Sequence, residues 1–282
     1  MPVPGAKVPV CASDESRRAG YGGAVHTSTA DAASVDLNAD LGESVDGVAT
    51  ADDEAMFAVI SSASVATGGH AGDASSMRLA VERAARHGVA VGAHPSFPDR
   101  AGFGRAAMRL APADLTAVVS AQLGALVGAG ADIRYVKPHG ALYHAAGADP
   151  DQARALVRAV LDLSDSVGRA VPVLALGDAL ADASAAAGLP FVREAFLDRG
   201  YMSDGTLVPR GMPGDLLHDP ATVAERAVRL VRDGVVEAID GTLVVVAAAS
   251  LCLHGDTPEA VAMARAVRAA LDTERIGVRP PW

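Results

Sequence analysis

The chain has little lysine, asparagine, cysteine or aromatic residue. Among its 282 residues only Lys7 and Lys137 are lysines, only Asn38 is an asparagine, and Phe, Trp and Tyr together make up 4%. The two cysteines, Cys11 and Cys252, form no CxxC pair and lack zinc-finger spacing, which argues against a disulfide framework and a structural zinc site. This cysteine usage fits a reducing, cytoplasmic compartment.

An excess of positive charge and long apolar segments are also missing. The formal net charge of -10 disfavours binding to nucleic acid, which depends on clustered Lys and Arg. No apolar run approaches the roughly 20 residues that span a bilayer. The N-terminus lacks the apolar stretch of a signal peptide. We therefore expect a cytoplasmic protein that binds neither nucleic acid nor membranes.

The composition changes after the first 34 residues. Residues 1–34 are rich in Gly, Ser, Ala and Pro without a sustained period, which predicts a flexible N-terminal extension. Residues 35–282 are long enough for one catalytic barrel domain, since barrels of roughly 250 residues commonly form a single domain. The last four residues, 279–282, are predicted to lie on the surface as a tail.

Short β-rich runs then alternate with longer amphipathic runs, the pattern of βα units around a parallel sheet. Strands are predicted at 35–41, 63–66, 89–93, 133–137, 171–176, 191–195 and 242–248, and helices at 77–87, 112–127, 149–167, 220–232 and 258–271. About seven βα units favour a closed α/β barrel, although an open doubly wound sheet shows the same alternation.

Polar residues are concentrated where the predicted strands end. Because all strands of a parallel barrel end on one face, we expect these residues to meet there. Alternation in the first strand also places Asn38 on the same face as Asp36 and Asp40. The candidate acids, bases and cations at these ends are Asp40, Glu43, His70, His94, Lys137, His139 and His254.

Two chemistries fit these residues. The four histidines either share proton transfer and charge stabilisation, or two of them join Asp40 around a metal ion. Lys137, with Arg105, Arg199 and Arg210, would supply positive charge for a carboxylate or phosphoryl group. No GxxxxGK[ST] loop and no strand-linked GxGxxG is present, so no conventional nucleotide site is encoded.

Seven blocks of sequence carry a resemblance to a known family. In chain order they are VDLNADLGES (35–44), SSASVATGGHAGD (61–73), GVAVGAHPSFPDRAGFGR (88–105), QLGAL (122–126), YVKPHGALY (135–143), REAFLDRGYMSDGTLVPR (193–210) and CLHGD (252–256). Together they resemble the LamB/YcsF family. The blocks occur in order from residue 35 to about residue 256.

The resemblance implies a seven-stranded parallel β/α barrel similar to the glycoside hydrolase and deacetylase barrels. It implies ATP-dependent opening of 5-oxo-L-proline to L-glutamate, a lactam hydrolysis carried out with B and C subunits. ATP would be a co-substrate accompanied by Mg²⁺, with no tightly bound cofactor. Such a reaction needs cations for phosphate and carboxylate and a base for water.

Roles follow for the candidate residues under this resemblance. The base is one of Asp40, Glu43, His70 and His94. We predict catalytic roles for these four residues and for Lys137 and His139. We predict substrate binding by Asn38, Arg105, Arg199, Arg210 and His254.

The chain departs from the family pattern at two positions. Where the family usually has ACGFHAGD, this chain has Thr67 for the cysteine and Gly69 for the aromatic residue. Thr67 excludes an essential thiol there, and Gly69 is expected to enlarge the pocket. Two other functions remain open. One is a metal-dependent, deacetylase-like hydrolase, and the other is a non-catalytic component that binds a small metabolite within a multi-subunit complex.

Overall fold

A computed structural model describes residues 33–257 and 259–282. Cys11 and all but the last two residues of the predicted N-terminal extension lie outside the described residues. The strands are β1 (Ser34–Leu41), β2 (Ser44–Val45), β3 (Val48–Ala49), β4 (Ser62–Ala66), β5 (Ala90–His94), β6 (Ile133–Val136), β7 (Val173–Ala175), β8 (Phe191–Phe196), β9 (Val235–Glu237), β10 (Leu243–Val245), β11 (Ser250–His254) and β12 (Gly277–Val278). The helices are α1 (Asp53–Phe57), α2 (Ala74–His87), α3 (Pro112–Gly128), α4 (Gly140–Ala148), α5 (Pro150–Val167), α6 (Asp178–Ala186), α7 (Pro220–Asp233) and α8 (Ala260–Thr273).

Seven of the strands close into a parallel barrel. They pair in the order β1, β4, β5, β6, β7, β8 and β11, and β11 pairs again with β1. Closure leaves the ring of strands without a free edge, unlike an open doubly wound sheet. The predicted seven-stranded parallel β/α barrel is therefore confirmed.

The two faces of β1 have different environments. Leu37 and Leu41 are fully buried in the hydrophobic core. Asp36 and Asn38 on the opposite face bond to side chains of other barrel strands; for example, the Asn38 amide donates to Ser250 Oγ at 2.8 Å. The predicted division of this strand into an apolar and a polar face is confirmed.

Capping residues define most helix ends. The Asp73 carboxylate accepts hydrogen bonds from the first turn of α2, and Gly88, with φ of 68°, ends that helix. Proline begins α3, α5 and α7. These four helices are confirmed with small shifts at their ends, whereas the short helices α1, α4 and α6 were not predicted. α8 is present from Ala260, and the predicted start at Pro258 lies outside the described residues.

The predicted last strand, 242–248, is wrong. Part of this run forms β10, which pairs antiparallel with β9 outside the barrel and leaves Leu243 and Val245 60% and 80% exposed. The barrel is closed by β11 instead, where Ser250 and Cys252 contact polar groups inside the barrel. An apolar run therefore does not identify the last barrel strand, because the side chains that this strand directs into the barrel contact polar groups.

The amino end of the barrel is covered by aromatic residues. Tyr135 lies fully buried inside the barrel, where its hydroxyl bonds to Ser64, and its ring stacks on Trp282 at 4.1 Å. Gly92 makes room for this ring, because a Cβ atom there would lie 2.2 Å from it. Of the predicted surface tail, Arg279 and Pro281 are exposed, whereas Trp282 is half-buried because its ring packs on Tyr135. None of the described helices is both long and apolar enough to cross a membrane.

Candidate active site

A pocket of about 420 Å³ opens at the carboxyl ends of the barrel strands. Its size falls within the range of small-molecule sites, and this end of a parallel barrel is where active sites form. The convergence expected from the sequence is present. The predicted site residues that line the pocket are Asp40, His94, Arg105, Lys137, His139, Arg199, Arg210 and His254.

Lys137 lies at the floor of the pocket and is 1% exposed. Its ammonium donates to Asp40 Oδ1 at 2.8 Å and to Asn38 Oδ1 at 3.1 Å. Nζ also lies 3.3 Å from Glu194 Oε2 and 3.1 Å from Cys252 Sγ. A compact ammonium reaches acceptors in several directions from one atom, which explains a lysine at this position in a chain whose basic residues, Lys7 apart, are otherwise arginines.

The charges of this cluster stabilise one another. Burial alone would raise the pKa of Asp40, but the positive charges of His94 and Lys137 hold it well below its usual range. Burial alone would lower the pKa of Lys137, but Asp40, with Cys252 and Glu194, raises it well above its usual range. Asp40 and Lys137 therefore form a permanently charged pair at neutral pH.

His94 and His139 share a proton. His94 Nδ1 donates to the Lys137 carbonyl oxygen at 2.8 Å, and His139 Nε2 donates to the Phe103 carbonyl oxygen at 2.9 Å. The remaining nitrogens, His94 Nε2 and His139 Nδ1, are 3.0 Å apart, a contact that requires one proton between them. The two rings thus hold three protons and one positive charge. Asp40 Oδ2, 3.3 Å from His94 Nε2, balances that charge.

Burial, together with His70 and His94, holds the pKa of His139 well below its usual range. His94 Nε2 faces both His139 Nδ1 and the Asp40 carboxylate. Both nitrogens of His94 are occupied by these contacts.

Glu43 and His70 lie behind this pair and do not line the pocket. His70 Nε2 is 3.0 Å from Glu43 Oε1, and the His70 ring stacks on His139 with centroids 3.7 Å apart. Burial, with a smaller contribution from Asp40, raises the pKa of Glu43 to about 7. Burial and the charge of His94 hold the pKa of His70 well below its usual range. Glu43 can therefore exchange a proton near neutral pH.

The same group could hold a divalent ion. Ligand atoms of Glu43, His70, His94 and His139 all lie within 4.8 Å of one another. Imidazoles anchored by carbonyl oxygens, as His94 and His139 are, are common at metal sites. The shared proton already satisfies those two rings, so the contacts permit a metal ion without requiring one.

His254 forms the opposite wall of the pocket with Asp198 behind it. His254 Nδ1 lies 3.0 and 3.1 Å from the two oxygens of Asp198, which is fully buried. Thr257 Oγ1 donates to the same carboxylate at 2.9 Å. Phe196 stacks on the imidazole with centroids 5.5 Å apart. Burial disfavours the charged ring, yet Asp198 raises the pKa of His254.

The three predicted arginines all reach the pocket, but their surroundings differ. Arg105 pairs with Asp256 at 2.9 Å and lies over the Phe103 ring. Arg199 is 4% exposed and donates to two carbonyl oxygens of the loop after β8, so it also holds that loop in place. Arg210 is exposed at the rim. Arg105 and Arg210 are thus the more accessible cations for an anionic ligand.

Glycine-rich turns bring backbone close to the histidines. Gly104 has φ of 65°, and a Cβ atom there would lie 2.8 Å from His70 and 2.9 Å from His139. This close passage lets the preceding Phe103 carbonyl accept the hydrogen bond from His139. The glycine-rich turn therefore packs its backbone against two imidazole rings.

Two residues singled out in the sequence have surroundings that were not expected. Asn38 is fully buried beneath the pocket, does not line it and accepts a hydrogen bond from Lys137; its role in substrate binding stays a prediction. Gly69 does not enlarge the pocket, because a Cβ atom there would lie 2.5 Å from Gln122 Oε1. Thr67 donates to that same oxygen at 2.9 Å, so Gln122 fills the space.

Two buried carboxylates were missed among the predicted site residues. Glu194 projects from β8 beside Lys137, and Asp198 follows that strand and holds His254. Both occur at the end of a strand, which is the same signal that identified Asp40 and His94. Neither partner was recognisable in advance, since each pair joins positions more than 50 residues apart.

Comparison with known proteins identifies relatives along nearly the whole described chain. The A subunit of 5-oxoprolinase from Streptomyces griseus is 50% identical over 250 residues, which cover 87% of this chain and 98% of that protein. The protein of the same name from Paracidovorax citrulli is also 50% identical, with the same coverage. The crystal structure of the lactam utilization protein from Thermus thermophilus is 45% identical, covers 87% of this chain and 99% of that chain, and superimposes with a TM-score of 0.80.

Residues 35–281 match the LamB/YcsF family, a span that includes every predicted site residue. The order of sequence blocks, the closed barrel and these relatives agree. The chain belongs to the LamB/YcsF family.

Proposed function

We propose that this chain is the lactam-opening component of a 5-oxoprolinase, converting 5-oxo-L-proline to L-glutamate at the pocket described above. Relatives of 50% identity are named as the A subunit of 5-oxoprolinase, and a 45% identical structure is called a lactam utilization protein. The letter in the relatives' name supports an assembly with further subunits. We propose B and C subunits as those partners.

The observation that carries the proposal is the composition of the pocket. A five-membered lactam bearing a carboxylate presents a carbonyl oxygen, a ring nitrogen and one negative charge. Accessible arginines at the rim, Arg105 and Arg210, suit the carboxylate. The floor offers the Lys137 ammonium as a positive group for charge that develops on the carbonyl oxygen.

In this proposal the partner subunits, not this chain, bind ATP. The sequence has no GxxxxGK[ST] loop. Amide bonds resist water at neutral pH, and transfer of a phosphoryl group to the lactam carbonyl oxygen would activate the ring carbon. We propose that the assembly consumes ATP with Mg²⁺ for this activation and that Lys137 and the rim arginines accommodate the resulting negative charge.

The test is reconstitution with the purified B and C subunits from the same organism. Glutamate formation and ATP hydrolysis are measured with and without 5-oxoproline, for the chain alone, the partners alone and the complete assembly. We expect 5-oxoproline-dependent turnover only in the complete assembly, and at least a roughly 100-fold loss when the chain carries Asp40→Asn. Full activity without this chain, or with Asp40→Asn, would refute the proposal. A chain that binds 5-oxoproline but whose Asp40→Asn variant supports normal turnover would be a binding component.

A second candidate is metal-dependent amide hydrolysis at Glu43, His70, His94 and His139. The observation in its favour is the clustering of four ligand atoms within 4.8 Å. Elemental analysis of the purified chain distinguishes the two. Stoichiometric divalent ion, with activity lost to a chelator and restored by the metal, would establish it; metal-free protein with full activity would exclude it.

A further inference from the structure

We propose that His254 transfers the proton in ring opening and that Asp198 is the positioning residue that presents its Nε2 atom to the substrate. This inference rests on the proposed function and assigns its proton-transfer step. The sequence placed His254 among the substrate-binding residues and left the base open among Asp40, Glu43, His70 and His94. The contacts of these side chains decide between them.

Asp198 fixes the tautomer of His254. The carboxylate is fully buried, and both of its oxygens lie within hydrogen-bond distance of His254 Nδ1. The carboxylate also accepts hydrogen bonds from the His254 backbone N–H at 3.2 Å and the Thr257 hydroxyl at 2.9 Å. These contacts fix its orientation toward His254. Nδ1 therefore carries a proton. Nε2 of the neutral ring is left with a lone pair, the arrangement of an Asp–His pair in hydrolases.

Nε2 is free to meet the substrate. The side chain of His254 is 12% exposed and lines the pocket, and Nε2 makes no hydrogen bond within residues 33–257 and 259–282. Stacking on Phe196 fixes the plane of the ring. Asp198 and Phe196 thus hold the ring, which lines the pocket.

The other candidates for the base are engaged elsewhere. Asp40 is bonded to Lys137 and His94, and its pKa is held well below the usual range, which makes it a weak base. Both nitrogens of His94 have partners. Glu43 and His70 bond to each other and do not line the pocket.

The proposed step acts on the activated lactam, whose carbonyl oxygen carries the phosphoryl group and whose nitrogen has lost its proton to form a C=N bond. His254 Nε2 takes a proton from a water molecule as the water oxygen bonds to the ring carbon; the C=N electron pair moves to nitrogen, and Nε2 gives that proton to the nitrogen. The ring carbon–nitrogen bond then breaks with its electron pair on nitrogen, which receives the proton of the new hydroxyl through Nε2, leaving an amine and an acyl phosphate with His254 neutral again. A second water molecule hydrolyses the acyl phosphate to a carboxyl group and phosphate. Asp198 stabilises the imidazolium that exists between these transfers.

The charges around His254 agree with this role. Burial disfavours the imidazolium, Asp198 and Asp40 favour it, and Arg210 opposes it; the net effect raises the pKa of His254. Since only the neutral ring can accept a proton from water, kcat/KM should fall as the pH drops through that pKa. Replacing Asp198 by Asn removes a negative charge and should move this acid limb to lower pH.

The experiment uses the reconstituted assembly with three variants of this chain. We expect His254→Gln to lower kcat for glutamate formation by about 100- to 10,000-fold with KM for 5-oxoproline within about threefold of wild type. Asp198→Asn should lower kcat by at least about 100-fold and shift the acid limb. His218→Gln, at an exposed histidine outside the pocket, is the matched control and should leave both constants unchanged.

The outcomes separate this assignment from the function on which it rests. A wild-type assembly that forms no glutamate refutes the proposed function and this assignment with it. If the wild-type assembly turns over but His254→Gln retains more than a third of kcat, or raises KM alone, only the assignment is refuted. An Asp198→Asn variant that loses activity without a shifted acid limb would make Asp198 a structural residue.

Discussion

Two aspartates on the same face of β1 show how differently the ends of this barrel treat a buried carboxylate. Asp36, at the amino end, accepts hydrogen bonds from the hydroxyls of Ser61, Ser62 and Ser250 at 2.5–2.6 Å. Asp40, at the carboxyl end, is held by the Lys137 ammonium instead. Both carboxylates are buried. Burial has the larger effect on the pKa of Asp36, whereas the nearby positive charges together have the larger effect on the pKa of Asp40.

The consequence is opposite shifts in acidity. Burial raises the pKa of Asp36, and the three hydroxyls oppose this without overcoming it. At Asp40 the charges of His94 and Lys137 overcome burial and lower the pKa well below its usual range. The barrel therefore separates a hydroxyl-lined amino end from a charged carboxyl end where the pocket forms. Cations are what distinguish the functional end.

The largest expected effect comes from removing the central cation. Lys137→Met leaves Asp40 and Glu194 as buried carboxylates without their ammonium, which should lower the free energy of unfolding by about 3–5 kcal/mol. Ser62→Ala at the amino end leaves Asp36 with two hydroxyl donors and should cost about 1 kcal/mol. Urea unfolding of the two variants measures the difference between the ends.

An exposed pair provides the matched control for Lys137→Met. Arg158 and Asp162 lie 2.6 Å apart with side chains 64% and 45% exposed, so Arg158→Met should change stability by less than about 0.5 kcal/mol. If Lys137→Met fails to fold, the double variant Lys137→Met/Glu194→Gln should recover part of the loss because one uncompensated charge is removed. If Lys137→Met lowered the free energy of unfolding by no more than Ser62→Ala does, the comparison between the two ends would be contradicted.

A smaller effect is the pH dependence of Asp36→Asn and Asp40→Asn. The folded pKa of Asp36 is raised, so wild-type stability falls as the pH rises from the unfolded value of about 3.9 through the folded pKa. Asp36→Asn lacks this fall, so the loss of stability that it causes should shrink as the pH rises. The folded pKa of Asp40 is depressed, so its contribution is present above about pH 4 and is lost as the pH drops further.

The cost of Asp40→Asn should therefore shrink toward low pH, with the opposite slope. Urea unfolding at a series of pH values between about 2 and 7 measures both slopes in the same buffers. Two slopes of the same sign would show that the ends of the barrel do not differ in the way their contacts indicate.

The architecture was largely predictable because alternation and helix punctuation are local properties. Six of the seven barrel strands were placed correctly, and the polar residues at their ends do meet. The seventh failed because residues 242–248 have the apolar character of a buried strand, whereas β11 brings Ser250 and Cys252 into a polar interior. Polarity inside the barrel arises from pairing among strands, which a single segment does not reveal.

The sequence predicted which residues lie near the pocket, but it did not predict the role that each residue has there. Chain position placed His254 at the rim, and only folding brings Asp198 against its Nδ1 atom. Glu43 follows β1, near whose end Asp40 lies, but it turns behind His139 toward His70. Which side chain faces the pocket depends on the geometry of the loops, and the sequence at the strand ends does not reveal that geometry.

The smallest expected effect concerns the aromatic cover of the amino end. Trp282→Ala removes the ring that stacks on Tyr135 at 4.1 Å and should lower the free energy of unfolding by about 1–2 kcal/mol. Trp282→Phe keeps an aromatic partner and should retain most of that stability. Because Trp282 lies at the opposite end from the pocket, both variants should keep kcat/KM within about twofold of wild type. Urea unfolding and the reconstituted assay measure these quantities, and a loss of activity in folded Trp282→Ala protein would show that the two ends are coupled.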